Sequence, residues 1–211
     1  MDANRKHIEL IMNRIPILGI LCFISLFIWS SMLYSGGSQA NLNSEGFDWM
    51  NNYWCNLMGK KGMNGKFNPA RPYAITAMII LCMSLMLFFI QFAKVYSENR
   101  FWKRVLNLGG ILSMLSACFI FTDYHDLMTI ISSFFGVFLV IGIIKEVYQS
   151  ELLNYKIGGG ICLFLLLLNN CIYYSLQFIE WLPFIQKVTF LAVLIWIIGL
   201  NYELRKTIKA R

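Results

Sequence analysis

Residues 105–144 read VLNLGGILSMLSACFIF TDYHD LMTIISSFFGVFLVIGII. An apolar run over 105–121 is followed by the polar turn Thr122-Asp123-Tyr124-His125-Asp126 and then by a second apolar run over 127–144. Both runs are continuously apolar and long enough for helices, whose backbone polar groups are satisfied internally. Strands that cross a membrane would instead alternate apolar and polar over about ten residues. Three ionisable side chains in so short a turn place the bend at a bilayer surface, so the two runs predict a tight helical hairpin. Gly109, Ser113 and Ala117 recur every fourth residue, as do Ser132 and Gly136. Small residues at that spacing let helices approach closely in lipid, and they read as internal packing.

Four more apolar runs lie outside the hairpin, over 15–34, 74–93, 157–176 and 182–200. The fold class expected is therefore an all-α integral membrane protein, a six-transmembrane-helix bundle forming one domain over 1–211. Composition agrees. The chain is 58% hydrophobic and 14% charged, where soluble domains carry about 25% charged residues. Six spans of about 20 residues use most of the 211 positions and leave no room for a separate soluble catalytic domain. The first run resembles a signal peptide in having Ser38-Gln39-Ala40 behind it, a small-x-small site. It is longer than the usual h-region of about 7–15 residues, so it reads as a retained helix.

The net charge of +7 belongs to residues beside the apolar runs, and no nucleic-acid partner is expected. With the N-terminus inside, the inner segments hold Arg5, Lys6, Arg14, Lys94, Arg100, Lys103, Arg104, Lys145, Lys156, Arg205, Lys206, Lys209 and Arg211. The outer segments hold Lys60, Lys61, Lys66 and Arg71. This bias predicts that both termini are cytoplasmic. No internal repeat relates the two halves, so inverted-repeat transporter logic has no support.

The outer loop over 35–71 is the one sizeable aqueous segment. It opens with the flexible Ser35-Gly36-Gly37-Ser38. Phe47, Met50, Trp54 and Leu57 then fall on one helical face, with Asp48, Asn51, Asn52 and Cys55 largely opposite. This pattern predicts a short amphipathic helix over 47–57, lying on the membrane surface and capping the bundle. Asn68-Pro69-Ala70-Arg71-Pro72 makes a stiff turn into the second span and holds Arg71 at the interface.

Ionisable groups inside a membrane are expensive and default to functional hypotheses. Lys187 lies about 7 Å into the last span at 1.5 Å per residue. Asn169 and Asn170 lie at a comparable depth in the fifth, and Glu180 sits in the turn between them. With Arg71 and with Asp123, His125 and Asp126, these residues would line one outward-facing polar pocket. In the plainer reading Lys187 snorkels and pairs with Glu180 while the asparagines act as interhelical glue.

Several mechanisms are excluded. His7 and His125 are the two histidines, too few for bis-histidine haem ligation through the bundle or for a three-histidine zinc site. Of the six cysteines only Cys55 lies in a loop, and no CxxC pair exists. Gly36-Gly37-Ser38 and Gly158-Gly159-Gly160 do not resemble phosphate loops, and there is no GxSxG elbow. Asp123, His125 and Asp126 read as an acidic turn and not as a metal site. A Schiff base on Lys187 would need a deeper lysine. No cofactor is expected.

The order of features resembles an uncharacterised family of bacterial six-span membrane proteins, catalogued only as a domain of unknown function. The resemblance is carried by the first span, by Asn56-Leu57-Met58-Gly59 before the second, and by His125 near the start of the fourth. Where that family often has a Ser-x-Leu-Gly-like motif, this chain reads Cys55-Asn56-Leu57-Met58-Gly59. The resemblance implies six helices, a bacterial inner membrane and no known activity. Two functions stay open. One is a carrier, assembly or binding component that holds a small ligand or lipid headgroup in the outer pocket. The other is a membrane-embedded lipid-modifying enzyme with His125 as acid or base, oriented by Asp123 or Asp126.

Overall fold

The computed structural model describes residues 3–149 and 153–210. Arg211 and the side chain of Arg5, both counted among the inner cations, lie outside them. Among the described residues seven α-helices follow one another: α1 Ala3–Met12, α2 Ile15–Leu33, α3 Arg71–Tyr96, α4 Arg100–Cys118, α5 His125–Tyr148, α6 Leu153–Ser175 and α7 Leu182–Ala210. Short 3₁₀ turns stand at Trp54–Met58 and Ile179–Trp181. No strand forms among the described residues; Lys61 and Phe67 make one isolated bridge.

Five stretches are long and apolar enough to cross a membrane: Lys6–Leu33, Arg71–Tyr96, His125–Tyr148, Asn154–Ser175 and Ile179–Ala210. They contain the expected spans over 15–34, 74–93, 127–144, 157–176 and 182–200 to within a residue at each end. The run over 105–121 is α4, which does not reach the same standard. Its first five residues include Arg100, Lys103 and Arg104, and it stops at Cys118, where the chain enters turns. The fifth run ends one residue early because Leu176 adopts a left-handed φ of 59°, which terminates a helix.

The helices carry exposed apolar stripes at helical spacing. On α5 the stripe is Leu127, Ile130, Phe134, Phe138 and Ile141; on α6 it is Ile157, Ile161, Phe164 and Leu167; on α7 it is Phe184, Val188, Leu191 and Ile195. Water tolerates isolated apolar side chains of this size but not contiguous faces of them, and a bilayer covers such faces at no cost. Inside, α3 is the best buried helix, packed on α2, α4 and α7. Phe88 and Phe92 of α3 and Phe23 and Phe27 of α2 are almost completely enclosed.

Close approach depends on small residues. A Cβ on Gly19 of α2 would stand 1.7 Å from Ser84 Oγ of α3, and one on Gly110 of α4 would stand 2.8 Å from Phe89 Cβ of α3. The expected small-residue stripes face each other within the α4–α5 hairpin, where Ser113 Oγ donates to the Ser132 carbonyl at 3.0 Å. They serve internal packing, as their spacing suggests.

The first and last described helices, α1 and α7, meet at one end of the bundle. Lys6 Nζ donates to the Lys209 carbonyl at 2.7 Å, and Lys94 Nζ lies 2.5 Å from Glu9 Oε1. Asn13, at the break between α1 and α2, is buried against Asn201 of α7. Its Nδ2 donates to Asn201 Oδ1 at 3.1 Å, and Asn201 Nδ2 returns a 2.8 Å bond to the Asn13 carbonyl. Glu146, also buried, takes Ser97 Oγ at 2.9 Å and Lys145 Nζ at 3.2 Å. The segment between α2 and α3 covers the opposite end as a cap.

Candidate site at the cap end

The cap is folded by asparagines. Asn68 is fully buried; its Nδ2 donates to the carbonyls of Leu57 and Gly59, both at 3.0 Å, and its Oδ1 accepts from the Ala70 amide at 3.2 Å. Asn52, also fully buried, donates to the Gly37 carbonyl at 2.9 Å and accepts from the Asp48 amide at 2.8 Å. Asn56 Oδ1 accepts from the Tyr53 amide at 2.7 Å. A side-chain amide offers both donors and an acceptor, so each of these residues stands in for a missing stretch of secondary structure.

The same bonds explain why the expected surface helix does not form over the whole of 47–57. Only Trp54–Met58 is helical, as a 3₁₀ turn; the residues before it run through turns. Asp48 accepts the amides of Met50 and Asn51 at 2.9 and 3.1 Å, and this local bonding competes with a helix. Burial works against the Asp48 charge, but its hydrogen bonds from the Asn51 side chain and the Met50 and Asn51 amides outweigh that and hold its carboxyl below the usual range.

The apolar side of this segment does not lie flat on a surface. Trp54 is inserted into the bundle, its ring 4.9 Å from Phe27 and 6.3 Å from Phe23 of α2, and 6.1 Å from Phe190 of α7. Among the described residues its buried Nε1 has no hydrogen-bond partner. Its backbone amide donates to Gln186 Oε1 of α7 at 3.4 Å. The cap is thus keyed between α2 and α7 by one indole.

Lys187 reaches into the underside of the cap. Its Nζ donates to the Asn52 carbonyl and, at 2.9 Å, to the Pro183 carbonyl one turn back. It also lies 5.7 Å from the centre of the Phe47 ring. Among the described residues no carboxylate lies within ion-pair distance of it. Beside it, burial pushes the Cys55 thiol up to about 11, against the opposing charge of Lys187.

The remaining candidates have other partners. Asn169 Nδ2 donates to Thr189 Oγ1 of α7 and to the Leu165 carbonyl at 2.9 Å. Thr189 lies two residues beyond Lys187, about 200° round a helix, so Asn169 and Lys187 engage different faces of α7. Asn170 Nδ2 returns to its own helix at the Leu166 carbonyl, 2.8 Å away. Arg71 Nε donates to the Met58 carbonyl at 3.2 Å on the α3 side. Glu180 and Asp123 are exposed in the two turns. His125 Nδ1 lies 3.0 Å from Asp126 Oδ1, and Asp126 is 80% exposed. Lys187 and Arg71 thus hydrogen-bond different parts of the cap, Asn52 and Met58, while Asp123, Asp126 and Glu180 are exposed and the Asp126 charge reaches Cys55 beside Lys187. The sequence places Asn52 on the polar face of the expected helix and Asn68 in the turn before α3, but not their role in bonding the cap backbone.

No protein-family model, no curated protein and no solved structure matches this chain.

Proposed function

We propose that this chain is a six-span protein of the bacterial cytoplasmic membrane, with both termini in the cytoplasm. In this reading it binds a small anionic ligand or a lipid headgroup at its outer end, as a carrier, assembly or binding component. The resemblance to the uncharacterised six-span family is part of the same proposal. The span count is supported by parity. Lys6 contacts Lys209 and Asn13 contacts Asn201, so the chain starts and finishes at one end of the bundle. Five crossings would separate its ends. With α4 as a further span the number becomes even, and α4 carries its own exposed stripe of Leu108, Leu112 and Leu115. Its leading Arg100, Lys103 and Arg104 then lie at the cytoplasmic surface, as the positive-inside rule favours.

The binding role rests on one observation: among the described residues no carboxylate lies within ion-pair distance of Lys187, and Asp48 of the cap acts on its charge only from farther away. At the terminal end of the bundle, Lys94, Lys145 and Lys206 pair with Glu9, Glu146 and Glu203. Lys187 has neutral carbonyls and a ring face instead. A charge within a span costs about 3 kcal/mol on insertion scales, and an anion at the cap would offset that. The test is thermal unfolding of the purified chain in detergent with inorganic phosphate or glycerol 3-phosphate, against chloride at equal ionic strength. Ligand at a hundred times its Kd stabilises by about 2.7 kcal/mol, which is about 5–10 °C for a chain of this size. Lys187→Met should lose that gain and Lys60→Gln/Lys61→Gln should keep it; equal responses in wild type and Lys187→Met would overturn the reading. The alternative, a lipid-modifying enzyme, has the His125–Asp126 contact behind it, and adjacency in the chain is enough to bring that pair together.

A further inference from the structure

We infer that the cap end carries a separate phospholipid site, in which the groove between residues 60–68 and the first turns of α3 holds one anionic phospholipid of the outer leaflet. The groove has a volume of about 560 Å³ and is lined by Lys60, Lys61 and Arg71 together with Phe67, Pro72 and Ile75. Its three cations form no ion pair with any carboxylate among the described residues. They are nevertheless presented by an ordered backbone. Lys61 bridges to Phe67, the Gly62 amide donates to the Lys66 carbonyl at 2.9 Å, and the Asn68 amide donates to the Lys60 carbonyl at 3.3 Å. The Met58 carbonyl holds Arg71 Nε, which orients the guanidinium fork that suits phosphate.

Two features choose a lipid over a soluble anion. The first is position. Arg71 opens a helix apolar enough to cross the membrane, which sets the groove at the level where headgroups lie. The second is the order of the lining. Phe67 is 77% exposed, and below it Ile79, Met83 and Ile90 continue an exposed apolar line down α3. A soluble phosphate would meet only the cations, whereas a phospholipid whose phosphate sits among them can lay its acyl chain along that line, in continuity with the groove. Charge complementarity selects an anionic headgroup. Lys187 takes no part in this site, since it sits on α7 with its own partners.

Native mass spectrometry of the full chain, offered phosphatidylglycerol or phosphatidylcholine in detergent, tests this. Phosphatidylglycerol should be retained at least about 25-fold more strongly than phosphatidylcholine. A basic residue beside an anionic surface contributes about fivefold, so Lys60→Gln/Lys61→Gln should weaken phosphatidylglycerol about 25-fold. Both lysines are exposed, so the variant should fold, and Lys60→Arg/Lys61→Arg should retain the lipid, as should Lys187→Met. Equal retention of the two lipids, unchanged binding by the glutamine variant, or displacement by glycerol 3-phosphate at the lipid's concentration would each overturn it. Loss of lipid in Lys187→Met alone would also overturn it and move the lipid to the other site.

Discussion

Asn68→Ala removes a fully buried side chain and with it bonds of 3.0, 3.0 and 3.2 Å to Leu57, Gly59 and Ala70. A hydrogen bond contributes about 1 kcal/mol net, so three amount to about 3 kcal/mol, with more lost where the abandoned groups stay buried. For a chain of this length that is a fall of about 6–12 °C in Tm. Asn68→Asp sharpens the test. It keeps the oxygen that receives the Ala70 amide but turns the donor into a second oxygen facing the Leu57 and Gly59 carbonyls. Because Nδ2 is the donor to both carbonyls, Asp must be worse than Ala although it is closer in shape to Asn. Unfolding followed by tryptophan fluorescence in detergent suits the measurement, because the half-buried Trp54 of the same cap packs 4.9 Å from Phe27. An aspartate variant as stable as wild type, or an alanine variant within about 2 °C of it, would refute the reasoning.

Three further outcomes are expected. Reporter fusions after Arg211 and within 97–99 should report cytoplasm, and one within 122–124 should report the outside; a cytoplasmic signal from the last would remove α4 from the spans. With Cys55 as the one remaining cysteine, maleimide labelling should quicken about tenfold per pH unit from pH 7 to 10, because its thiol is held up at about 11 from an ordinary 9.0; a rate that bends near pH 9 and levels off by pH 10 would show an unshifted thiol. Gly37→Ala should lower Tm by about 4–8 °C, corresponding to about 2 kcal/mol, since φ is +83° there and a Cβ would stand 2.4 Å from the Asn64 amide nitrogen; an unchanged Tm would mean that the loop does not adopt this turn.

The membrane helices are legible in the sequence because that property is local. A run apolar enough and long enough for the bilayer declares itself without knowledge of its neighbours, and five runs recur as helices long and apolar enough to cross a membrane. The same holds for the α4–α5 hairpin, whose short polar turn and small-residue stripes force the two helices together. The cap is harder to read. Asp48 and Asn52 stand four residues apart, with Asn56 four further on, a spacing that suits the wet face of a helix. In the fold they bond backbone groups of the cap itself, while Trp54 goes into the bundle.

By itself, then, the sequence determined the all-helical membrane class, the hairpin and the places where charge would need an answer. Tertiary structure alone decided how each polar group was answered. It joined Asn13 to Asn201 from opposite ends of the chain, gave Lys187 the carbonyl of Asn52 in place of a carboxylate, and sent Asn169 to Thr189 on another face of the same helix. The physical reason is valence. An apolar side chain needs only an apolar neighbourhood, which the bilayer supplies everywhere, whereas an amide or ammonium group needs a particular partner at a particular distance, and many residues in the chain could have been that partner.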